Sequence, residues 1–203
     1  MTFNSLRPVA TRVIDPLADF FIKYEVSPDT VSIVSLICAF FAGLSFYLSP
    51  GYKDLVLLAG ILVIFNSLFD ALDGVIARKS NRATPRGDFL DHVIDRYSDI
   101  FIICSIFFAG YVSWQIGVTA IVGVLLTSYL GTQAQALNLG RYYGGIMGRA
   151  DRLVVIIIAA FASSVYSASI AGFSILGWAV VLIAVTSHIT AVQRIFYIWK
   201  RLD

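Results

Sequence analysis

The chain has 203 residues, 58% of them hydrophobic and 14% charged, with a formal net charge of +2. Soluble domains run to roughly 45–50% apolar and about 25% charged, so an ordinary water-soluble globule is excluded. No Asp, Glu, Lys or Arg occurs from Val31 to Tyr52, from Ile100 to Gly140, or from Leu153 to Gln193.

Residues 3–24 place Leu6, Val9, Val13, Leu17, Phe20 and Phe21 at spacings of three and four, which predicts an amphipathic helix on the cytoplasmic membrane surface. Ser27 and Pro28 then read as N-cap and first-turn proline of a first crossing, which Ser49, Pro50 and Gly51 end in a turn. The charge-free run there is 22 residues, enough for one passage through a hydrocarbon core about 30 Å thick. An apolar helix from Leu55 to Arg78 makes a second. The two later runs, 41 residues each, allow two crossings apiece. The expectation is an all-α integral membrane protein with six transmembrane helices over 30–199 plus the N-terminal surface helix, a single domain over 1–203.

Of the 15 basic residues only Lys53 falls on one side of this arrangement; the others precede the first crossing, follow the last, or cluster at 78–96 and 141–152. The positive-inside rule then puts both termini and both basic loops in the cytoplasm of a multi-pass protein of the cell membrane. No removable signal peptide is expected. Cys38 and Cys104 fall inside crossings and read as packing residues, and glycines 43, 60, 110, 117, 123 and 177 read as sites of close helix contact. No nucleic-acid partner is expected.

The segment Asp70–Asp95, DALDGVIARKSNRATPRGDFLDHVID, carries the chemistry. Asp70 and Asp73 are three apart, Asp91 and Asp95 four apart, so each pair shares one helix face and two helices joined by a short loop can point four carboxylates into one space. An Asp near the middle of a crossing costs about 2.5–3.5 kcal/mol, so four ionised and alone would cost roughly 10–14 kcal/mol. Two divalent cations cancel that formal charge, and carboxylate oxygens without His or Cys favour Mg²⁺ or Mn²⁺. Gly74, Ala77 and Gly87 leave room on the same faces, Arg78 offers a fork of donors suited to phosphate, and Thr84 adds a hydroxyl. Surface ion pairs with neighbouring arginines would explain the charge but not the paired spacing with glycine beside it. Asp88 reads as a helix cap and Asp99 as a packing or ion-pair residue.

Asp70, Asp73, Gly74, Ala77, Arg78, Gly87, Asp91 and Asp95 fill the pattern DxxDGxxAR, eight residues, GxxxDxxxD. In this the chain resembles the CDP-alcohol phosphotransferases. The resemblance implies phospholipid synthesis: transfer of a phospholipid moiety from a CDP-linked lipid to an alcohol with release of CMP, in a homodimer. It implies that Asp70, Asp73, Asp91 and Asp95 hold two metals and that Asp95 accepts the proton. It also implies that Asp29, Thr30, Val31, Ser32, Gly74, Arg78, Thr84 and Gly87 contact the CDP-lipid. The later half is most similar to phosphatidylinositol phosphate and archaetidylinositol phosphate synthases, through Ser128-Tyr129, Gly144-Gly145, Arg149 to Arg152 and Gln193-Arg194. Ser128, Arg149, Arg152 and Arg194 are therefore the expected holders of a polyol phosphate, inositol phosphate favoured. The basic pair usual after Ser-Tyr is here Gly131 and Gln133, which keeps glycerol phosphate or another polyol open. An ion-coupled transporter would instead place acids near midplane in several crossings, and a membrane prenyltransferase would need two separated acidic motifs.

Overall fold

A computed structural model describes residues 7–166 and 168–202, with side chains from Ile14 onward apart from residue 167. Among the described residues seven helices follow one another: α1 Arg7–Lys23, α2 Pro28–Leu48, α3 Asp54–Lys79, α4 Pro85–Phe108, α5 Trp114–Ala136, α6 Arg149–Val165 and α7 Ile175–Trp199. The caps fall where the sequence has a side-chain oxygen that accepts from a backbone N–H a turn ahead. Ser27 and Ser174 accept from the amides of Thr30 and Gly177, and Thr84 accepts from Gly87 N–H at 3.1 Å. Thr84 therefore caps α4, and Asp88, expected as that cap, lies in the helix's first turn, where a negative charge suits the helix dipole.

Six of the helices close into a ring. α2 packs on α3 and α4, α3 on α6, α6 on α7, α7 on α5 and α5 on α4, while α1 lies outside against α3. α3 and α4, which carry the acidic segment, flank α2 on either side; their backbones stay apart and they meet through side chains. One cluster fills the ring with Phe46, Val63, Ile102, Val124, Ile156 and Ile183 among others. A smaller one seats α1 through Leu17, Ala18 and Phe21 on Leu72 and Ile76. Lys79 adds ion pairs to Asp15 and Asp19 at 3.3 and 2.9 Å. The expected surface helix is thus docked on α3; its residues 3–6 lie outside the described residues.

The count of six crossings is not met. Among the described residues, four helices are long and apolar enough to traverse a membrane: α2, α3, α5 and α7. α4 spreads Arg86, Asp88, Asp91, Asp95, Arg96 and Asp99 over more than half its length, leaving only Ile100–Phe108 uncharged. α6 has 17 residues and opens on Arg149, Asp151 and Arg152; its apolar remainder is about 20 Å long, short of a core of about 30 Å. The long charge-free runs are spent partly on the turns between helices. The all-α membrane fold itself stands, with outward faces of α2 and α3 exposing Ile37, Phe41, Leu58 and Phe65.

Glycine sets several crossings. A Cβ on Gly43 of α2 would meet the Phe101 carbonyl of α4 at 2.6 Å, one on Gly60 would meet Ala160 of α6 at 3.0 Å, and one on Gly123 would meet His188 of α7 at 2.9 Å. Gly110 differs: nothing lies within 4 Å, and its φ of +84° marks a turn, so its role is conformational. Between α2, α3 and α4 the buried Asn66 amide donates to the Ser35 carbonyl and hydroxyl at 3.1 and 2.9 Å, and lies 3.4 Å from the Ser98 hydroxyl. Gly43→Ala is expected to lower stability by roughly 1–3 kcal/mol through overpacking. The readout is the thermal unfolding midpoint in detergent; Gly51→Ala, whose Cβ would approach nothing closer than 3.7 Å, leaves that midpoint in place.

Candidate active site

The site lies at the ring end where α2 and α4 begin and α3 ends. Asp70 and Asp73 project from the last turns of α3, Asp91 and Asp95 from the first half of α4, and Arg149 from the first residue of α6. One guanidinium nitrogen, Arg149 Nη1, reaches Asp70 Oδ2 at 2.6 Å and Asp95 Oδ1 at 2.8 Å, so carboxylates from two opposed helices converge on one point. Asp73 is 6% exposed and accepts a 2.5 Å hydrogen bond from the Ser32 hydroxyl of α2. Ligand atoms of Asp91, His92 and Asp95 lie within 4.8 Å of one another.

These residues fit divalent cations. The buried Asp70 Oδ1 has no hydrogen-bond partner, and Asp95 Oδ1, although 2.8 Å from Arg149, lacks hydrogen-bond alignment. Lone pairs buried without donors are costly unless a cation takes them. The donors are hard oxygens, which suits Mg²⁺ or Mn²⁺.

Two cavities flank the carboxylates. The first, about 340 Å³, is lined by Asp29, Ser32, Asp73, Gly74, Arg78, Thr84, Gly87 and Asp91 together with Arg141 and Tyr143. The second, about 310 Å³, is lined by Asp95, Ser128, Gly131, Arg149, Arg152 and Arg194, and again by Arg141 and Tyr143. Both volumes are those of small-molecule sites. Space in the first depends on glycine: a Cβ on Gly74 would press on Arg78 Nη1 at 3.2 Å, and one on Gly87 would sit 3.4 Å from Thr84 Oγ1 and 3.7 Å from Asp29 Oδ1.

Most residues singled out from the sequence come together here. Of the eight expected at the CDP-lipid, six line the first cavity. Thr30 and Val31 do not: Thr30 is exposed with its hydroxyl 2.8 Å from Ser27 Oγ, and Val31 is buried with Leu72 and Ile76. The four acceptor candidates all line the second cavity, but three are already engaged. Arg152, 1% exposed, donates to Asp99 Oδ2 at 2.8 Å, and Arg194 donates to the carbonyls of Gly144 and Thr127 at 2.9 and 2.6 Å. Sequence reasoning missed Arg141 and Tyr143, whose signal was a basic-aromatic triplet inside the glycine-rich connection 137–148. That connection is pinned to α7: Met147 N–H donates to Thr190 Oγ1 and Ile146 N–H to Gln193 Oε1, each at 3.1 Å.

The Asp99–Arg152 pair is buried on both sides, so removing one partner strands a charge. Asp99→Leu and Arg152→Leu are each expected to cost about 3–5 kcal/mol, and the double variant less than the sum of the two. Unfolding in detergent across the four-protein cycle measures the coupling; additive losses would contradict it.

Comparisons with known proteins show which family the chain is similar to. The family described as CDP-alcohol phosphatidyltransferase matches residues 25–185. The archaetidylinositol phosphate synthase of Methanothermobacter thermautotrophicus is 33% identical, over 98% of this chain and 95% of its own length. The phosphatidylinositol phosphate synthase of Streptomyces avermitilis is 30% identical, over 93% of this chain and 79% of its own. Among solved structures, the chain is similar to the phosphatidylinositol phosphate synthase of Mycobacterium tuberculosis with CDP-DAG bound, at a TM-score of 0.77 and 27% identity, covering 93% of this chain and 94% of that one. The same protein in complex with manganese and citrate also gives 0.77, over 92% and 88%.

Proposed function

Because the chain belongs to the CDP-alcohol phosphatidyltransferase family, membrane transferases of phospholipid synthesis that work with divalent cations, we propose that it joins a CDP-linked lipid to an inositol phosphate. The observation that carries this reading is the division of three of the four aspartates between two adjoining cavities, with Asp70 behind them on Arg149. Asp73 and Asp91 line the one with Arg78 and Thr84, while Asp95 lines the one with Arg149, Arg152 and Arg194. A diphosphate in the first and a phosphorylated polyol in the second meet at the carboxylates.

Asp70, Asp73, Asp91 and Asp95 would hold the cations. Bound there, divalent cations supply positive charge to the diphosphate oxygens and to the departing CMP. Arg78 donates to the phosphates, and Asp29, Thr84 and the open faces of Gly74 and Gly87 admit the nucleotide. In the second cavity the arginines attract the acceptor's phosphate and turn its hydroxyl toward Asp95. The acceptor oxygen bonds to the lipid-side phosphorus, the anhydride bond breaks, CMP leaves with the electron pair, and Asp95 takes the proton. Dissociation constants of the acceptor report on the arginines, turnover on Asp95.

The proposal includes an address. Arg78, Lys79, Arg82 and Arg86 surround the site end and Lys200 and Arg201 close the chain there, whereas Lys53 precedes α3 at the other end. A cytoplasmic site with both termini inside follows from the positive-inside rule, and a homodimer from family likeness. Lipid tails then stay in the bilayer while nucleotide and polyol phosphate arrive from water.

Asp95→Asn keeps the size and removes the base. It is expected to lower CMP release from CDP-lipid by a factor of about 10² or more while the protein purifies as a folded species; unchanged turnover would falsify the role of Asp95. For the acceptor, purified protein with CDP-lipid and Mg²⁺ or Mn²⁺ is offered inositol phosphate, inositol, glycerol phosphate and glycerol. The mass of the lipid product identifies the acceptor. Inositol phosphate is expected to be consumed; glycerol phosphate in its place would move the reading to another polyol phosphate.

A further inference from the structure

Arg141 belongs to no helix, yet it reaches the middle of the site. It and Tyr143 line both cavities and so form part of the wall between them. Nη2 lies 3.3 and 3.1 Å from the two oxygens of Asp88 and also against His92 Nε2. Nη1 donates to the Tyr143 hydroxyl at 2.9 Å and Nε to Gln135 Oε1 at 3.1 Å.

The other cations of the second cavity hold partners that are expensive to leave. Arg149 is shared between Asp70 and Asp95, Arg96 lies on the same largely buried Asp95 at 3.4 Å and on His92 at 3.1 Å, Arg152 is sealed with Asp99, and Arg194 ties two backbone carbonyls. Separating buried partners strands a charge or a polar group in a dry interior. The ion pair of Arg141 is different, because Asp88's side chain is 52% exposed and can be rehydrated on release. The α5 wall offers no alternative: a Cβ on Gly131 would lie 2.7 Å from Arg194 Nη1, so a cationic side chain has no room there.

We propose that Arg141 is a specificity-determining residue, which exchanges Asp88 for the phosphate monoester of the acceptor and so selects phosphorylated over unphosphorylated polyols. This rests on the reading of the second cavity as a polyol-phosphate site. Tyr143 and Gln135 hold the guanidinium in place while its Nη2 edge changes partner. A pinned connection carries it, so the arm is positioned before the ligand arrives. The donor's diphosphate is the other anion within range of the shared wall, and the test separates the two.

Steady-state kinetics of Arg141→Gln, Arg141→Lys and Asp88→Asn are measured with inositol phosphate and CDP-lipid varied in turn, alongside equilibrium binding of labelled inositol phosphate without the CDP-lipid. Arg141→Gln is expected to raise the acceptor KM and Kd about tenfold or more, the equivalent of one charge-assisted contact, with the CDP-lipid KM unmoved. Arg141→Lys recovers part of that loss, and Asp88→Asn, which frees the arm, tightens acceptor binding. A rise confined to the CDP-lipid KM would assign Arg141 to the donor, and unchanged values for both substrates would reduce it to a loop anchor; either overturns the proposal. A wild-type protein that turns over only unphosphorylated alcohols would instead sink the reading of the cavity, and the role of Arg141 with it. If Arg141→Gln does not fold, Arg141→Lys and Asp88→Asn decide through their opposite shifts in acceptor affinity.

Discussion

The arrangement of the site end depends on one guanidinium. The backbones of α3 and α4 stay apart on either side of α2, and each brings two aspartates toward the interior of the ring. Left alone, such carboxylates repel one another and resist burial, so the bundle would open where they meet. Arg149 answers both problems by placing a single nitrogen between Asp70 and Asp95. One turn further on, Arg152 does the same for Asp99. The N-terminal turn of α6 therefore closes the site end by charge, where the rest of the ring closes by apolar packing. The same position is one a hard cation can occupy, because Asp70 Oδ1 and Asp95 Oδ1 retain unpartnered lone pairs beside the arginine. The packing of this end and the proposed metal site thus draw on the same carboxylates.

How much of this was legible depends on distance along the chain. Asp70 with Asp73 and Asp91 with Asp95 were readable because helix periodicity fixes which face each occupies. Ser27 was readable as a cap for a similar local reason, whereas Asp88 was misplaced because a threonine four residues earlier already served the orphan amides of α4. Asp70 and Arg149 are 79 positions apart, and Asp99 and Arg152 are 53 apart. No local pattern encodes such a meeting; it follows from the ring order. Arg152 accordingly read as a ligand residue, although its guanidinium is also the counter-charge of a buried acid. Asn66 gave no signal inside an apolar run, yet it bonds α2 and reaches toward α4. The count of crossings failed for a different reason. Charge-free length measures residues, not helix, and the runs include the turns that end α4 and α6.

The chain divides its labour in order. α2, α3 and α4 build the first cavity, and α5, α6 and α7 supply most of the second. The eight-position motif lies wholly in α3, α4 and their connection, so a resemblance carried by it speaks of the half proposed to take the donor. The proposed acceptor half draws on α5, α6 and α7, whose residues are brought together by packing across long sequence separations. This is why the family was evident from the sequence while the acceptor was not.

The connection 137–148 is the hinge between these halves in sequence, but it does not behave as a slack linker. Tyr142 stacks on Tyr197 with ring centroids 3.4 Å apart, Arg194 holds the Gly144 carbonyl, and Thr190 and Gln193 take two further backbone amides. Gly145, at a φ of +129°, lies so close to Thr190 that any side chain would collide with it. Such fastening spends hydrogen bonds on a segment with no helix of its own, and the side chains it fixes are Arg141 and Tyr143, the two that border both cavities. On the proposed reading, a wall shared by two ligands has to hold its shape when one of them leaves. Rigidity at this connection lets the two cavities fill independently while keeping the reacting groups at a constant separation, which is what transfer between two bound substrates requires.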